Sequence, residues 1–170
     1  MSTLRVDTIL GESGAERRGL MTYAIICDQK TQNTSGGTFT SGAWQTRNLN
    51  TKIADPDGIV SIASDQFTLQ AGSYLIEASA SAFAVNAHRA RLYNATDSSV
   101  VQLGTSSYAR TSSGDVGSTA SSVFARVTIT AANAFEIQHR CSTTKTTNGF
   151  GVANNFDVEI YTTVKIFKEA

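Results

Sequence analysis

Few side chains in this sequence could do chemistry. His88 and His139 are the only histidines, so they are the only candidates for a base near neutral pH or a nitrogen ligand. Cys27 and Cys141 are the only thiols. His139 and Cys141 stand two residues apart, but a zinc site takes three or four ligands and this pair supplies two. Asp55-Pro56-Asp57-Gly58 lacks the spaced carboxylates and closing Glu of a calcium loop. It reads as a tight turn whose Asp side chains cap backbone N–H groups. Glu77 and Glu159 fall on segments expected to pair, and a glycan hydrolase would need two carboxylates about 5–10 Å apart. No Gly-x-Ser-x-Gly elbow, phosphate-cradling loop or His-Glu-x-x-His run is present. The expectation is a protein without catalytic residues, metal or cofactor. The histidines should be hydrogen-bonded in or near a core. The thiols read as two buried free groups, a bridge requiring their Cα atoms within about 7 Å.

Arg89, Arg91 and Arg140 form a second group, alternating outward with Glu136 and Gln138 on two strand-like segments. They read first as cross-strand partners worth about 0.2–1 kcal/mol each. The other reading is a contact for an anionic glycan or a capsid surface. Long polar loops at 28–43, 105–120 and 143–155 are rich in Ser, Thr, Asn and Gly. Loops on a rigid β-scaffold are where recognition concentrates.

The elements that hold these residues have a period of two. Tyr74, Ile76, Ala78, Ala80, Ala82 and Ala84 share one face of a strand whose other face carries Leu75, Glu77, Ser79, Ser81 and Phe83. Alanine favours helix, but strict alternation with a Ser-rich partner face favours a strand. Val123, Ala125, Val127 and Ile129 repeat the pattern, as do Val158, Ile160, Val164 and Ile166. Shorter strands are expected at 23–27, 44–48, 66–69, 89–93, 100–104 and 134–141. Turn residues separate them at Asp55–Gly58, Gln70–Gly72, Asn94–Asp97, Ser112–Asp115 and Asn148–Gly149. Many short strands with frequent turns predict an all-β sandwich or barrel.

Length and composition bound the rest. The 170 residues fit one domain. Lys+Arg and Asp+Glu each number 14, so no basic excess points to nucleic acid. Charged residues are 16% of the chain, below the roughly 25% of an ordinary soluble domain. No apolar run approaches the roughly 20 residues of a membrane helix, so no membrane partner is expected. Residues 1–20 differ from the rest. They carry only Leu4, Val6, Ile9 and Leu10 as apolar surface, too little for a core, and read as an attachment or assembly arm. Residues 21–170 form the β-domain. Asp7 and Glu12 stand where a secretion signal would be apolar, so synthesis in a cytoplasm is expected.

If the aliphatic faces point inward, Leu75, Phe83, Phe124, Tyr161 and Phe167 point outward from three strands. Small neutral residues such as Ser79, Ser81, Thr128 and Thr163 intervene. A contiguous apolar patch of a few hundred Å² marks an interface.

The run Phe67-Thr68-Leu69-Gln70-Ala71-Gly72-Ser73-Tyr74-Leu75-Ile76 resembles the strand–turn–strand signature of C1q/TNF-like jelly rolls. That resemblance spans roughly residues 21–168. It implies two five-stranded sheets, and three copies packed around an axis through one sheet, with the five outward residues as trimer interface. The chain departs from C1q heads in lacking their aromatic-rich last strand. Ser2-Thr3-Leu4-Arg5-Val6-Asp7-Thr8-Ile9 is similar to the start of many tailed-phage virion proteins. Together the two resemblances imply a homotrimeric surface protein of a virion, either capsid decoration or fibre, contacting other virion proteins and a host glycan. The alternative is a soluble C1q-like lectin module.

Overall fold

The computed structural model describes residues 22–112 and 115–169. The expected arm, with Leu4, Val6, Ile9 and Leu10, lies outside the described residues. The strands in chain order are β1 (Thr22–Lys30), β2 (Gln45–Thr46), β3 (Thr51–Ala54), β4 (Val60–Ala63), β5 (Gln66–Leu69), β6 (Gly72–Phe83) and β7 (Asn86–Asn94). They continue with β8 (Ser99–Leu103), β9 (Ser107–Ala109), β10 (Thr111–Ser112), β11 (Asp115–Val116), β12 (Ser118–Ile129), β13 (Asn133–Cys141) and β14 (Glu159–Lys168). One sheet has the order β12-β6-β14-β1-β3. The other runs β4-β5-β13-β7-β8, with short β2 and β9 added on β13 and β7. All pairings between these strands are antiparallel.

The alternation of apolar residues makes the sandwich. Tyr74, Ile76, Ala78 and Ala80 of β6 are buried, as are Val123, Ala125 and Val127 of β12. With Ile26, Val164 and Ile166 they face Phe67, Leu69, Ala90, Leu92, Phe135 and Ile137 of the second sheet within one core. Phe67 and Phe135 occupy opposite register positions on β5 and β13, with their rings stacked at 5.7 Å. Fully burying one such ring contributes about 1.5–3 kcal/mol.

One edge of the sandwich is closed by a crossing segment. The Gly104 N–H donates to the Ala90 carbonyl of β7, and the Thr105 N–H donates to the Ser122 carbonyl of β12. A Cβ at Gly104 would lie 2.6 Å from the Ser122 oxygen, so only glycine fits. Buried Ser121 adds a stitch: its hydroxyl accepts from the Ala90 N–H at 2.9 Å and donates to the Thr105 carbonyl at 2.6 Å.

The last strand departs from the predicted alternation. Asp28 pairs with Thr162 and Gln29 with Ile160, so Tyr161 is an extra residue at a bulge. Thr162, Val164 and Ile166 are buried, whereas Ile160 and Val158, expected on that same face, are each 46% exposed. One inserted residue changes the face of everything before it.

Candidate functional site

Cross-strand register sorts the outward residues of the five-stranded sheet into rows. Tyr23, Phe167, Leu75 and Arg126 form one transverse row across β1, β14, β6 and β12. Ile25, Lys165, Glu77 and Phe124 form the next. Phe124 is 66% exposed, and Leu75 and Phe167 are half-buried. Lys165 pairs with Glu77 at 3.4 Å, which neutralises the charge amid these apolar side chains. A third row, Thr163, Ser79 and Ser122, is small and neutral.

The structure therefore brings together Leu75, Phe124 and Phe167 of the five expected interface residues. Phe83 stands eight residues along β6 from Leu75, at the opposite end of the face, with Lys145 Nζ 5.8 Å from its ring centre. Tyr161 is a correction. It is only 6% exposed, its hydroxyl donates to the Thr34 carbonyl at 2.8 Å, and a Cβ on Gly151 would lie 2.0 Å from its Cδ1. The chain's own 148–151 segment covers this ring, which leaves it no surface for a second subunit. Burial drives its hydroxyl up to about 12. Tyr23 and Ile25 were not singled out from sequence, because Tyr23–Cys27 is apolar on both faces and shows no usable alternation.

The Tyr161 end of the sandwich is organised by Arg47, which is 1% exposed. Its Nε donates to Thr162 Oγ1 at 2.8 Å, and its terminal nitrogens donate to the Ser81, Phe150 and Tyr161 carbonyls at 3.1–3.3 Å. Its guanidinium carbon sits 4.1 Å from the Phe150 ring centre. Burial lowers its pKa to about 9, with buried Asp28 opposing, so it stays charged at neutral pH. Isolated bridges Gly37–Asn148 and Phe39–Lys145 pin two of the long loops to each other. They are packed structure rather than free recognition loops.

The histidines are buried partners. His88 Nδ1 lies 2.9 Å from His139 Nε2, and His88 Nε2 lies 2.7 Å from Thr119 Oγ1. Burial first, then Arg47, pushes His88 down to about 4 and His139 well below its ordinary value. Both are neutral at pH 7. His139 Nδ1 has no hydrogen-bond partner among the described residues. The economical tautomer gives His139 Nε2–H to His88 Nδ1 and His88 Nε2–H to Thr119, leaving His139 Nδ1 a bare lone pair instead of an unsatisfied N–H. Cys27 and Cys141 are buried free thiols, and burial raises Cys141 to about 11. They stay protonated and are poor nucleophiles.

The two carboxylates proposed as a pair are kept apart. Glu77 sits opposite Lys165, six residues along β14 from Glu159, which is roughly 20 Å of extended chain. Glu159 is instead occupied by the Asn154 and Asn155 N–H groups, which hold its carboxyl below the usual range. Asp55 caps its turn, accepting from the Ile59 N–H at 2.7 Å and pairing with Lys52 at 2.9 Å. On the outer face of the second sheet, Arg91 Nε donates to Gln138 at 2.7 Å, and Gln138 in turn donates to Glu136. The Arg91 guanidinium lies 4.0 Å from the Trp44 ring centre. Arg89 and Arg140 stand directly opposite one another on β7 and β13.

With this strand order, the folds of known structures can be compared. The globular domain of zebrafish complement 1qA protein superposes with a TM-score of 0.53 at 15% identity, covering 86% of this chain and 95% of that one. Murine APRIL gives 0.53 at 6% identity, covering 88% and 100%. The fold is a C1q/TNF-like jelly roll. No family model and no curated protein matches the sequence. In this jelly roll the second sheet carries seven strands rather than five, through the short additions β2 and β9.

Proposed function

We propose that this chain is a non-enzymatic structural protein of a tailed-phage virion, a homotrimeric surface component of the capsid-decoration or fibre type. In this reading it is made in the host cytoplasm. Its arm binds other virion proteins, and the jelly roll projects outward with a role in host attachment. The observation that carries the trimer is the apolar end of the five-stranded sheet. Tyr23, Leu75, Phe124 and Phe167 lie there on two adjacent rows with Ile25, the charges Lys165–Glu77 and Arg126–Glu169 cancel in pairs, and a neutral row of Ser and Thr follows. The C1q/TNF-like resemblance implies that one sheet packs around the threefold axis, and this face suits that role. The virion setting is supported by the resemblance of Ser2–Ile9 to phage virion proteins.

Sedimentation of the full chain tests the assembly: the expected particle has three times the 18.1 kDa chain mass. A particle of single-chain mass in dilute buffer overturns it. Immunogold labelling of intact particles tests the setting, and labelling absent from every virion surface removes it. The lectin reading draws on Arg89, Arg91 and Arg140, which stand on the outer face of the other sheet. Glycan binding without affinity for purified capsids or tails would favour it.

A further inference from the structure

The outer face of the second sheet contains a concavity of about 550 Å³. This lies within the roughly 300–1,000 Å³ of small-molecule sites. Its walls include Arg89 and Arg140, the indole of Trp44, and the hydroxyls of Ser41, Ser106, Ser107 and Ser142. Among the described residues no carboxylate lines it.

Two arginines at directly opposed register positions repel each other. The fold does nothing to relieve this. The guanidinium of Arg89 donates to the Ser106 hydroxyl, which is neutral. Arg140 is exposed and has no hydrogen-bond or ionic partner among the described residues. The nearby acid, Glu136, is taken up by Thr46 and Gln138. Other exposed cations of the chain do find carboxylates, as Arg126 does with Glu169 and Lys52 with Asp55. An uncompensated pair of forks in a hollow is complementary to one anionic group held between them.

The remaining wall specifies more than charge. Trp44 is fixed by the Arg91 guanidinium over its ring and presents an apolar surface to the hollow. Ser107 and Ser142 already donate to the Ala120 and Val85 carbonyls, so their oxygens are left as acceptors for an incoming O–H. A guanidinium pair, an aromatic wall and accepting hydroxyls match a sugar ring that bears an acidic group and several free hydroxyls.

We infer that the hollow formed by Arg89, Arg140 and Trp44 is a binding site for an acidic saccharide, its carboxylate or phosphate held between the two arginines. This deepens the host-attachment part of the function proposed above and rests on it for its biological setting. The binding itself does not require the trimer, so a failed sugar titration with normal sedimentation overturns this inference alone.

The test titrates the full chain by calorimetry with three matched pairs: cellobiuronic acid against cellobiose, N-acetylneuraminic acid methyl glycoside against methyl galactoside, and glucose 6-phosphate against glucose. At least one acid should bind ten-fold or more tightly than its neutral partner, and more weakly as salt rises. The carboxylate and phosphate arms identify the group preferred. Arg140→Gln should remove the preference ten-fold or more, and Arg89→Gln with Arg140→Gln should abolish it. Arg140→Gln without ligand at low ionic strength should melt at or above the wild-type temperature, because it relieves repulsion. Equal binding of acids and neutral sugars in all three pairs, undiminished acid binding by the double variant, or a lower melting temperature for Arg140→Gln would each overturn the site.

Discussion

The two outward faces of the sandwich obey the same alternation but present opposite chemistries. On the five-stranded sheet the outward positions include Tyr23, Ile25, Leu75, Phe124 and Phe167, and the charges among them cancel in the pairs Lys165–Glu77 and Arg126–Glu169. On the larger sheet they are Arg89, Arg91, Arg140, Trp44 and Gln138, with only Glu136 among them to offset three guanidinium groups. The first face gains by packing against other copies around a threefold axis, because that removes its apolar side chains from water. The second face repels its own copy and suits an anion. Inward residues make the fold, and outward residues on the same strands decide what it meets.

Five experiments would break or sharpen that contrast. The largest effect is expected at Arg47, on whose end-packing both faces depend. Arg47→Met removes the four hydrogen bonds to Thr162 Oγ1 and the Ser81, Phe150 and Tyr161 carbonyls, and the cation that opposes buried Asp28, at about 3–5 kcal/mol. A drop in the urea midpoint with an unchanged m-value should report it. Tyr161→Asp belongs with it, because the residue is buried and the variant should unfold rather than merely dissociate.

Phe124→Asp attacks one face only. It places a carboxylate opposite Glu77 in a seam that assembly would desolvate, costing the trimer several kcal/mol. Sedimentation should fall to the single-chain value while the circular dichroism of the domain is retained. Sugar binding on the other face should be unchanged.

Acid acts beneath the arginine face. His88 has a folded pKa near 4 against about 6.5 unfolded, so the unfolded chain binds more protons between those values. Stability is full above about pH 6.5 and falls as pH drops towards 4, by about 3 kcal/mol. Thermal melts across this window should show the loss, and His88→Gln should shrink it, leaving the part that buried His139 contributes. Arg140→Gln has the smallest effect on the fold, within about 0.5 kcal/mol, because the side chain is exposed and unpaired. Sedimentation should not change, in contrast to Phe124→Asp.

Strand positions were largely legible. β5 matches its predicted bounds, and β6, β12 and β13 match to within a few residues, because alternation over eight or more residues has one reading. The short strands β3, β4 and β9 were not read, since three or four residues give no period; β5, equally short, is delimited by the Gln70–Gly72 turn that follows it. Leu75, Phe124 and Phe167 were correctly read as outward. Tyr161 could not be read as separate from that cluster, because the contact of distant Gly151 with its ring leaves no mark in local spacing, whereas the eight residues between Leu75 and Phe83 on one strand already placed Phe83 roughly 26 Å away. Arg47 passed unnoticed for a related reason. A lone arginine in a polar stretch looks solvated until β6, β14 and the loop at Phe150 supply its carbonyl partners.

By itself, then, the order of residues determined the all-β class and which side of each long strand is apolar, since both follow from a period of two within one segment. Tertiary structure alone decided that a bulge at Tyr161 exposes Ile160, that two histidines share a proton-poor core, and that Arg89 meets Arg140 across a hollow. Each of these depends on register between segments far apart in the chain. Register is set by how the whole sandwich packs, not by any one strand.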